Sequence, residues 1–371
     1  MRRVAILGAT GSIGQQSLDV LRTLRDTHQV VALSAHRDAE SLGKLASEFD
    51  VKQTCLSGPK SQESGVFAGP AGLLQILEET HPDIVVHAVS GAAGLPAALR
   101  AAELGIDIAL ANKESLVMSG PLLLESVKKS GAQLLPVDSE HSALFQCLRA
   151  GTHAEVRRLW LTASGGPFRG RSRDSLLNVT PQEALAHPTW QMGKKISVDS
   201  ATLMNKGLEI IEAHYLFDIP PDQIEAVVHP ESVVHSLVEF YDGSFIAHMG
   251  ATDMRIPIQY ALSHPSRWER PDNEFSLTAL ATLRFEQPDT ETFPAIRLAN
   301  ASCNAGGTST VVFNAANERA VELFLDGHIS FLTISELVAR ALDNHTATPL
   351  ASLEQILAVD SRTREEVEQW I

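Results

Sequence analysis

Val4-Ala5-Ile6-Leu7-Gly8-Ala9-Thr10-Gly11-Ser12-Ile13-Gly14 sets a short apolar run against three glycines spaced three apart. The run is too short for a buried helix and has the branched residues of an interior strand. Glycines after such a strand let the backbone close tightly and approach a pyrophosphate, and the helix that follows offers unpaired N–H groups and its positive dipole end. The spacing is G-x-x-G-x-x-G rather than the plain G-x-G-x-x-G fingerprint. A tight strand-to-helix turn that holds no ligand accommodates the same residues.

Outward from this stretch, apolar runs at 4–7, 30–34, 83–89, 107–111 and 133–137 alternate with helix-length amphipathic segments. That is the βαβ pattern of a doubly wound parallel sheet. The second run ends in Leu33-Ser34-Ala35-His36-Arg37, with no carboxylate before Asp38. An acid there would hold a ribose 2′-hydroxyl; a cation suits a 2′-phosphate, so the reading is NADPH over NADH.

Composition narrows the class. The 371 residues are 44% hydrophobic and 20% charged, an ordinary globular balance that excludes disordered and collagen-like chains. The net charge of −15 disfavours nucleic-acid and anionic-membrane partners. Three dispersed cysteines, Cys55, Cys147 and Cys303, give no disulfide framework. The first apolar run stops too early for a signal peptide and no stretch has membrane-spanning length, so the expectation is a cytoplasmic protein.

After residue 138 the texture changes. Strands are expected at 156–163 and 224–228, and a hairpin joins 233–240 to 244–249 around Tyr241-Asp242-Gly243. A helix is expected over 200–216 with Ser200 as its cap. Segment 165–195 is long for a structureless connection and reads as a flexible flap. Residues 264–295 read as a surface linker. From about Phe313 the tail is helical, with Thr333-Ile334-Ser335-Glu336 as a capping box, Gly327 as a helix stop, and Ser352 and Asp360 capping two short helices. The expected fold is α/β: an N-terminal doubly wound, Rossmann-like NADPH domain (1–138), a central α+β catalytic domain (139–263) and a small C-terminal helical bundle (296–371).

Two groups of residues carry chemistry. Asp138-Ser139-Glu140 lies at the carboxyl end of the last strand, where such sheets bind ligands; extended chain would turn both carboxylates to one side. A helix N-terminus that favours acids accounts for it equally well. The second group, Asn205, Lys206, Glu209 and Glu212, shares one helical face, either as an amide–ammonium–carboxylate site or as a solvated set of ion pairs. Ser200 and Thr202 at the expected helix start suit a phosphate. Three carboxylates without cysteine or paired histidines select Mg²⁺ or Mn²⁺ over Zn²⁺.

Further blocks complete the pattern: Ala111-Asn112-Lys113-Glu114-Ser115, Thr162-Ala163-Ser164-Gly165-Gly166, His187-Pro188-Thr189-Trp190, Met192-Gly193-Lys194-Lys195-Ile196-Ser197-Val198-Asp199-Ser200, His229-Pro230-Glu231-Ser232-Val233-Val234-His235, and Asn314-Ala315-Ala316-Asn317-Glu318. With the glycine loop and both acidic groups, they make the chain resemble the 1-deoxy-D-xylulose 5-phosphate reductoisomerases over nearly its whole length. The resemblance implies an NADPH- and divalent-metal-dependent enzyme that isomerises 1-deoxy-D-xylulose 5-phosphate and reduces it to 2-C-methyl-D-erythritol 4-phosphate for isoprenoid synthesis. It implies Asp138, Glu140 and Glu209 as metal ligands, and Lys113, Ser139 and Glu212 around the metal and the substrate's hydroxyketone end. It also implies Ser164, Ser200, Asn205 and Lys206 as the phosphate pocket, and Thr10, Gly11, Ser12, Ile13, Arg37, Asn112, Glu114 and Gly193 as cofactor contacts. His187 and His235 would be active-site histidines, and His187, Trp190 and Met192 would belong to the flap. A homodimer acting on a small phosphorylated sugar is implied. Two rivals remain: a semialdehyde-type NADP dehydrogenase would need a nucleophilic cysteine in a helix-start motif, and a non-catalytic NADP sensor would not need Asp138, Glu140 and Glu209 together.

Overall fold

The structure, a computed structural model, describes residues 1–58, 67–190, 192–270, 275–280 and 282–371. Residue 191 of the expected flap, and 271–274 and 281 of the expected linker, lie outside them. The chain forms two compact units. One comprises Met1–Leu116, Pro121–Ser142 and Asp253–Pro271; the other comprises Val117–Gly120, Ala143–Thr252 and Asp272–Ile371.

The first unit is built on strands β1 (Arg2–Leu7), β2 (His28–Ala35), β3 (Gln53–Leu56), β4 (Phe67–Ala68), β5 (Ile84–His87), β6 (Asp107–Leu110) and β7 (Leu134–Pro136). They pair in the order β4-β3-β2-β1-β5-β6-β7, every pair parallel. The sheet therefore runs outward in both directions from β1, and the β1/β5 junction is its topological switch point, the usual place for a ligand crevice. Val4, Ala5, Ile6 and Leu7 are all fully buried, as a central parallel strand covered on both faces requires. The five strands expected from sequence are present; β3 and β4 were not anticipated. With Gln53 and Thr54 in a four-residue strand, and a two-residue partner, neither shows a long enough apolar run to read.

The second unit carries β8 (Val156–Ala163), β9 (Ile224–Val228), β10 (Val234–Phe240) and β11 (Phe245–Met249), ordered β11-β10-β8-β9. β10 and β11 form the expected antiparallel hairpin, with Gly243 in the left-handed region at its turn. β8 and β9 are parallel.

The helix expected over 200–216 is instead two: Lys194–Ala201 and Met204–Phe217. Leu203 breaks them at φ 60°. Thr202 makes the break tolerable: its hydroxyl donates back to the Val198 carbonyl at 3.1 Å and accepts from the Met204 N–H at 3.3 Å. Ser200 therefore sits in the last turn of the first helix and caps nothing. The second helix packs closely against the C-terminal helices, because a Cβ at Gly207 would stand 3.0 Å from the Phe313 ring and 3.1 Å from the Ala295 carbonyl.

Those helices are Ala295–Ala305, Ser309–Leu325, Phe331–Asp343 and Leu353–Gln369. Phe313, Phe324 and Phe331 are fully buried among them; interring each such ring contributes roughly 2–3 kcal/mol. Gly327 does take the left-handed conformation past a helix end. Two expected caps are corrected. Ser330, not Thr333, caps the third helix, its hydroxyl accepting from the Thr333 N–H; and Ser352 caps one continuous last helix, whose interior contains Asp360. The serine that frees an extended residue before the first turn outcompetes a pattern match three residues later. No helix among the described residues is long and apolar enough to cross a membrane.

Candidate active site

At the switch point of the first unit, Gly8 adopts φ +91°, and a Cβ there would lie 2.4 Å from the Ala88 carbonyl oxygen that follows β5. At Gly14 a Cβ would lie 2.2 Å from the Gly8 carbonyl. Both glycines are thus demanded by backbone packing, whereas Gly11 meets only one atom, at 3.4 Å. Gly11 caps the Ser12–Thr23 helix without any side-chain acceptor, leaving its first N–H groups for a ligand. Ser34 at the end of β2 braces the loop, its hydroxyl accepting from the Gly8 N–H at 3.0 Å and its carbonyl from the Ala9 N–H at 2.7 Å. Arg37 is exposed just beyond the same strand.

Neighbouring strands β6 and β7 bring Lys113 and Asp138 together, since each follows its strand at the carboxyl edge. Lys113 Nζ donates to Asp138 Oδ2 at 2.5 Å, and the lysine is only 6% exposed. Burial pushes the Asp138 carboxyl up, but the Lys113 ammonium and His141 hold it well below the usual carboxylate range. His141, one helical turn later and fully buried, stands 3.4 Å from Asp138 Oδ1. It was not singled out from sequence, although its i,i+3 spacing from Asp138 would have revealed it once the helix start was known. That helix runs Ser139–Cys147, so of the two readings the sequence left open Asp138-Ser139-Glu140 is the helix entry and not the extended pair. Asp138 Oδ1 accepts from the Glu140 N–H at 3.2 Å, and Ser139 Oγ donates to Glu140 at 2.6 Å.

Asn112 precedes Lys113 and is buried. Its carbonyl oxygen caps the Lys113–Ser130 helix by accepting from the Ser115 N–H at 2.8 Å, and its amide donates to the carbonyls of Val89 and Gly91. The side chain thereby fixes the loop after β5 to the helix that starts with Lys113. Glu114 is buried in the first turn of that helix.

In the second unit the Met204–Phe217 helix aligns Asn205, Lys206, Glu209 and Glu212. Asn205 donates to Glu209 Oε1 at 2.5 Å and Lys206 pairs with Glu209 Oε2. Lys206, Glu209 and Glu212 are buried, so this face is not the solvated ion-pair face that the spacing also allowed. Ser164, at the end of β8, meets His187: the His187 Nε2 lies 2.9 Å from Ser164 Oγ. His187 Nδ1 accepts from the Thr189 and Trp190 N–H groups at 3.1 and 2.9 Å. An accepting Nδ1 places the proton on Nε2, so a neutral His187 donates to Ser164. Burial lowers the His187 pKa, in keeping with that neutral form. Trp190 tilts toward His235 with ring centres 6.5 Å apart, and His235 Nε2 lies 3.3 Å from the Ala251 carbonyl. Gly193, exposed, caps the Lys194–Ala201 helix that ends near Ser200. Met192 is half-buried just before it.

A parallel sheet with a glycine turn at its switch point is the arrangement of a dinucleotide-binding α/β protein, and this chain also buries lysine–carboxylate pairs. Comparison with known proteins makes this specific. Residues 4–120 match the family described as 1-deoxy-D-xylulose 5-phosphate reductoisomerase, and 134–217 and 249–366 match C-terminal domains of DXP reductoisomerase. A 1-deoxy-D-xylulose 5-phosphate reductoisomerase of Caldanaerobacter subterraneus subsp. tengcongensis is 47% identical, over 99% of this chain and 98% of that protein. The reductoisomerase of Zymomonas mobilis, solved in complex with NADPH, is 44% identical, with a TM-score of 0.91 over 99% of this chain and 98% of that one. A DOX-P reductoisomerase solved with NADPH, fosmidomycin and magnesium is 40% identical, with a TM-score of 0.94 over 100% and 98%. The chain belongs to the 1-deoxy-D-xylulose 5-phosphate reductoisomerase family.

Proposed function

We propose that Asp138, Glu140 and Glu209 hold the divalent cation with which this enzyme converts 1-deoxy-D-xylulose 5-phosphate to 2-C-methyl-D-erythritol 4-phosphate at the expense of NADPH. The observation that carries the assignment is the buried Lys113–Asp138 pair, which keeps a carboxylate ionised in an interior where it would otherwise take up a proton. Oxygen donors of this kind fit Mg²⁺ or Mn²⁺. Gly11, where the backbone is left accessible, and the uncapped helix start that follows it fit a dinucleotide pyrophosphate. When bound, the cation supplies Lewis acidity toward the substrate's carbonyl and hydroxyl, and NADPH supplies the hydride.

This chain's own groups do the rest. Thr10, Gly11, Ser12 and Ile13 bind the pyrophosphate, Arg37 the 2′-phosphate, and Asn112, Glu114 and Gly193 complete the cofactor site. Lys113 adds positive charge where oxyanion character develops as carbon bonds rearrange, with Ser139 and Glu212 orienting the hydroxyketone end. Ser164, Ser200, Asn205 and Lys206 grip the substrate phosphate. The true helix start at Met204 places Asn205 and Lys206 in a first turn, which favours an anion. Binding energy from the phosphate positions the reacting carbons. His187, held neutral, ties the flap that carries Trp190 and Met192 to Ser164, and Trp190 with His235 excludes water from the closed site. In this reading residues 1–138 bind NADPH, 139–263 hold metal and substrate, and 296–371 support them beyond a linker at 264–295. The enzyme works as a cytoplasmic homodimer without nucleic-acid or membrane partners.

Titration of Mn²⁺ into the protein, followed by the loss of its free paramagnetic signal, tests the ligand set. One tight site in the parent and none in Asp138→Asn is expected; undiminished binding in that variant would overturn the assignment.

A further inference from the structure

The stretch Asn314-Ala315-Ala316-Asn317-Glu318 belongs to a C-terminal helix with no part in the chemistry above, yet Asn317 is fully buried and makes one contact of consequence. Its Nδ2 donates at 2.8 Å to Oδ1 of Asp199, which is 1% exposed. The other carboxylate oxygen of Asp199 receives Lys195 Nζ at 2.9 Å, one turn back along the Lys194–Ala201 helix. Asn317 Oδ1 has no hydrogen-bond partner among the described residues. Asn317 therefore acts here through its donor half, which is committed to Asp199.

What that donor fixes is the next residue. Ser200 follows Asp199, and Gly166, at φ +68°, packs against its backbone: a Cβ there would stand 2.6 Å from the Ser200 carbonyl. Ser200 is thus set between a glycine turn that abuts its backbone and an aspartate tethered to the Ser309–Leu325 helix. Immediately beyond it the chain turns through Leu203 into the helix carrying Asn205 and Lys206.

We infer that Asn317, acting through Asp199, is a positioning residue for the phosphate pocket, and that the C-terminal helical region serves catalysis by holding this one segment in place. The inference rests on the assignment of Ser200 to that pocket. It is tested with the full chain by comparing Asn317→Leu with Ser200→Ala. For Asn317→Leu the KM for 1-deoxy-D-xylulose 5-phosphate and the inhibition constant of inorganic phosphate should both rise by about fivefold or more, while kcat and the KM for NADPH stay within about twofold. Should Leu at 317 prevent folding, Asn317→Ala removes the same donor and carries the same expectation. Parent-like constants for Asn317→Leu, or a uniform loss of kcat and both KM values alongside a fall in Tm, would overturn the inference. A Ser200→Ala protein with unchanged substrate and phosphate constants would overturn the pocket assignment beneath it instead.

Discussion

Two buried lysine–carboxylate pairs anchor this enzyme, and they are made in opposite ways. Lys206 and Glu209 are three residues apart on one helix, so their meeting is a property of helical pitch. Lys113 and Asp138 are 25 residues apart and meet only because β6 and β7 are neighbours in a parallel sheet whose strands all end at one edge. The local pair survives any rearrangement that leaves its helix intact. The topological pair exists only when the sheet is correctly assembled. The sheet thus makes the more delicate half of the chemistry conditional on folding, while the helix presents its half as a preformed strip.

The comparison is most sharply broken by neutralising one carboxylate from each pair. Asp138→Asn and Glu209→Gln should each lower kcat more than about a thousandfold with the circular-dichroism spectrum unchanged, since both remove cation-binding charge. Rates within tenfold of the parent in either variant would remove that residue from the metal site. Removing the ammonium instead, Lys113→Met should lower kcat roughly a hundredfold, and it should also raise the Asp138 pKa, readable by carboxyl-region NMR. An Asp138 signal that titrates as before would mean the lysine does not set its charge.

Smaller effects probe the flanks. Arg37→Ala should raise the KM for NADPH about tenfold and leave that for NADH nearly unchanged; equal effects would deny the 2′-phosphate contact. His187 has a folded-state pKa below its unfolded value. Its contribution is therefore fully present above about pH 6.5 and is lost as pH falls through the lowered folded value, when Nδ1 takes a proton and can no longer accept from Thr189 and Trp190. The substrate KM should rise a few-fold in that acid range, and His187→Gln should flatten the profile. A profile identical in that variant would assign the titration elsewhere.

Much of this is legible in the sequence. Apolar runs bounded by glycine located the central strands, because burial on both faces leaves no polar position to confuse the period. The i,i+3 and i,i+4 spacings on 204–217 were likewise readable. The break at Thr202 and Leu203 was not: a hydroxyl bonding back into its own helix and a leucine in the left-handed region leave no compositional mark. Asp138-Ser139-Glu140 leaves extended chain and helix entry equally open, because a strand end and a helix start look alike over three residues. Asp199 and Asn317 lie in separate sequence blocks, and 118 residues separate them. A hydrogen bond across that distance has no periodicity to announce it.

In the proposed reaction the cation-bound sugar phosphate is the acceptor of the NADPH hydride. The most direct measurement follows reduced-nicotinamide absorbance in the presence of 1-deoxy-D-xylulose 5-phosphate, first with Mg²⁺ and then after chelation. NADPH oxidation that requires both the sugar phosphate and the cation, and returns when Mg²⁺ is restored, is the predicted result. Oxidation that continues undiminished in the chelated enzyme, or none at all from folded protein that still binds NADPH, would contradict it.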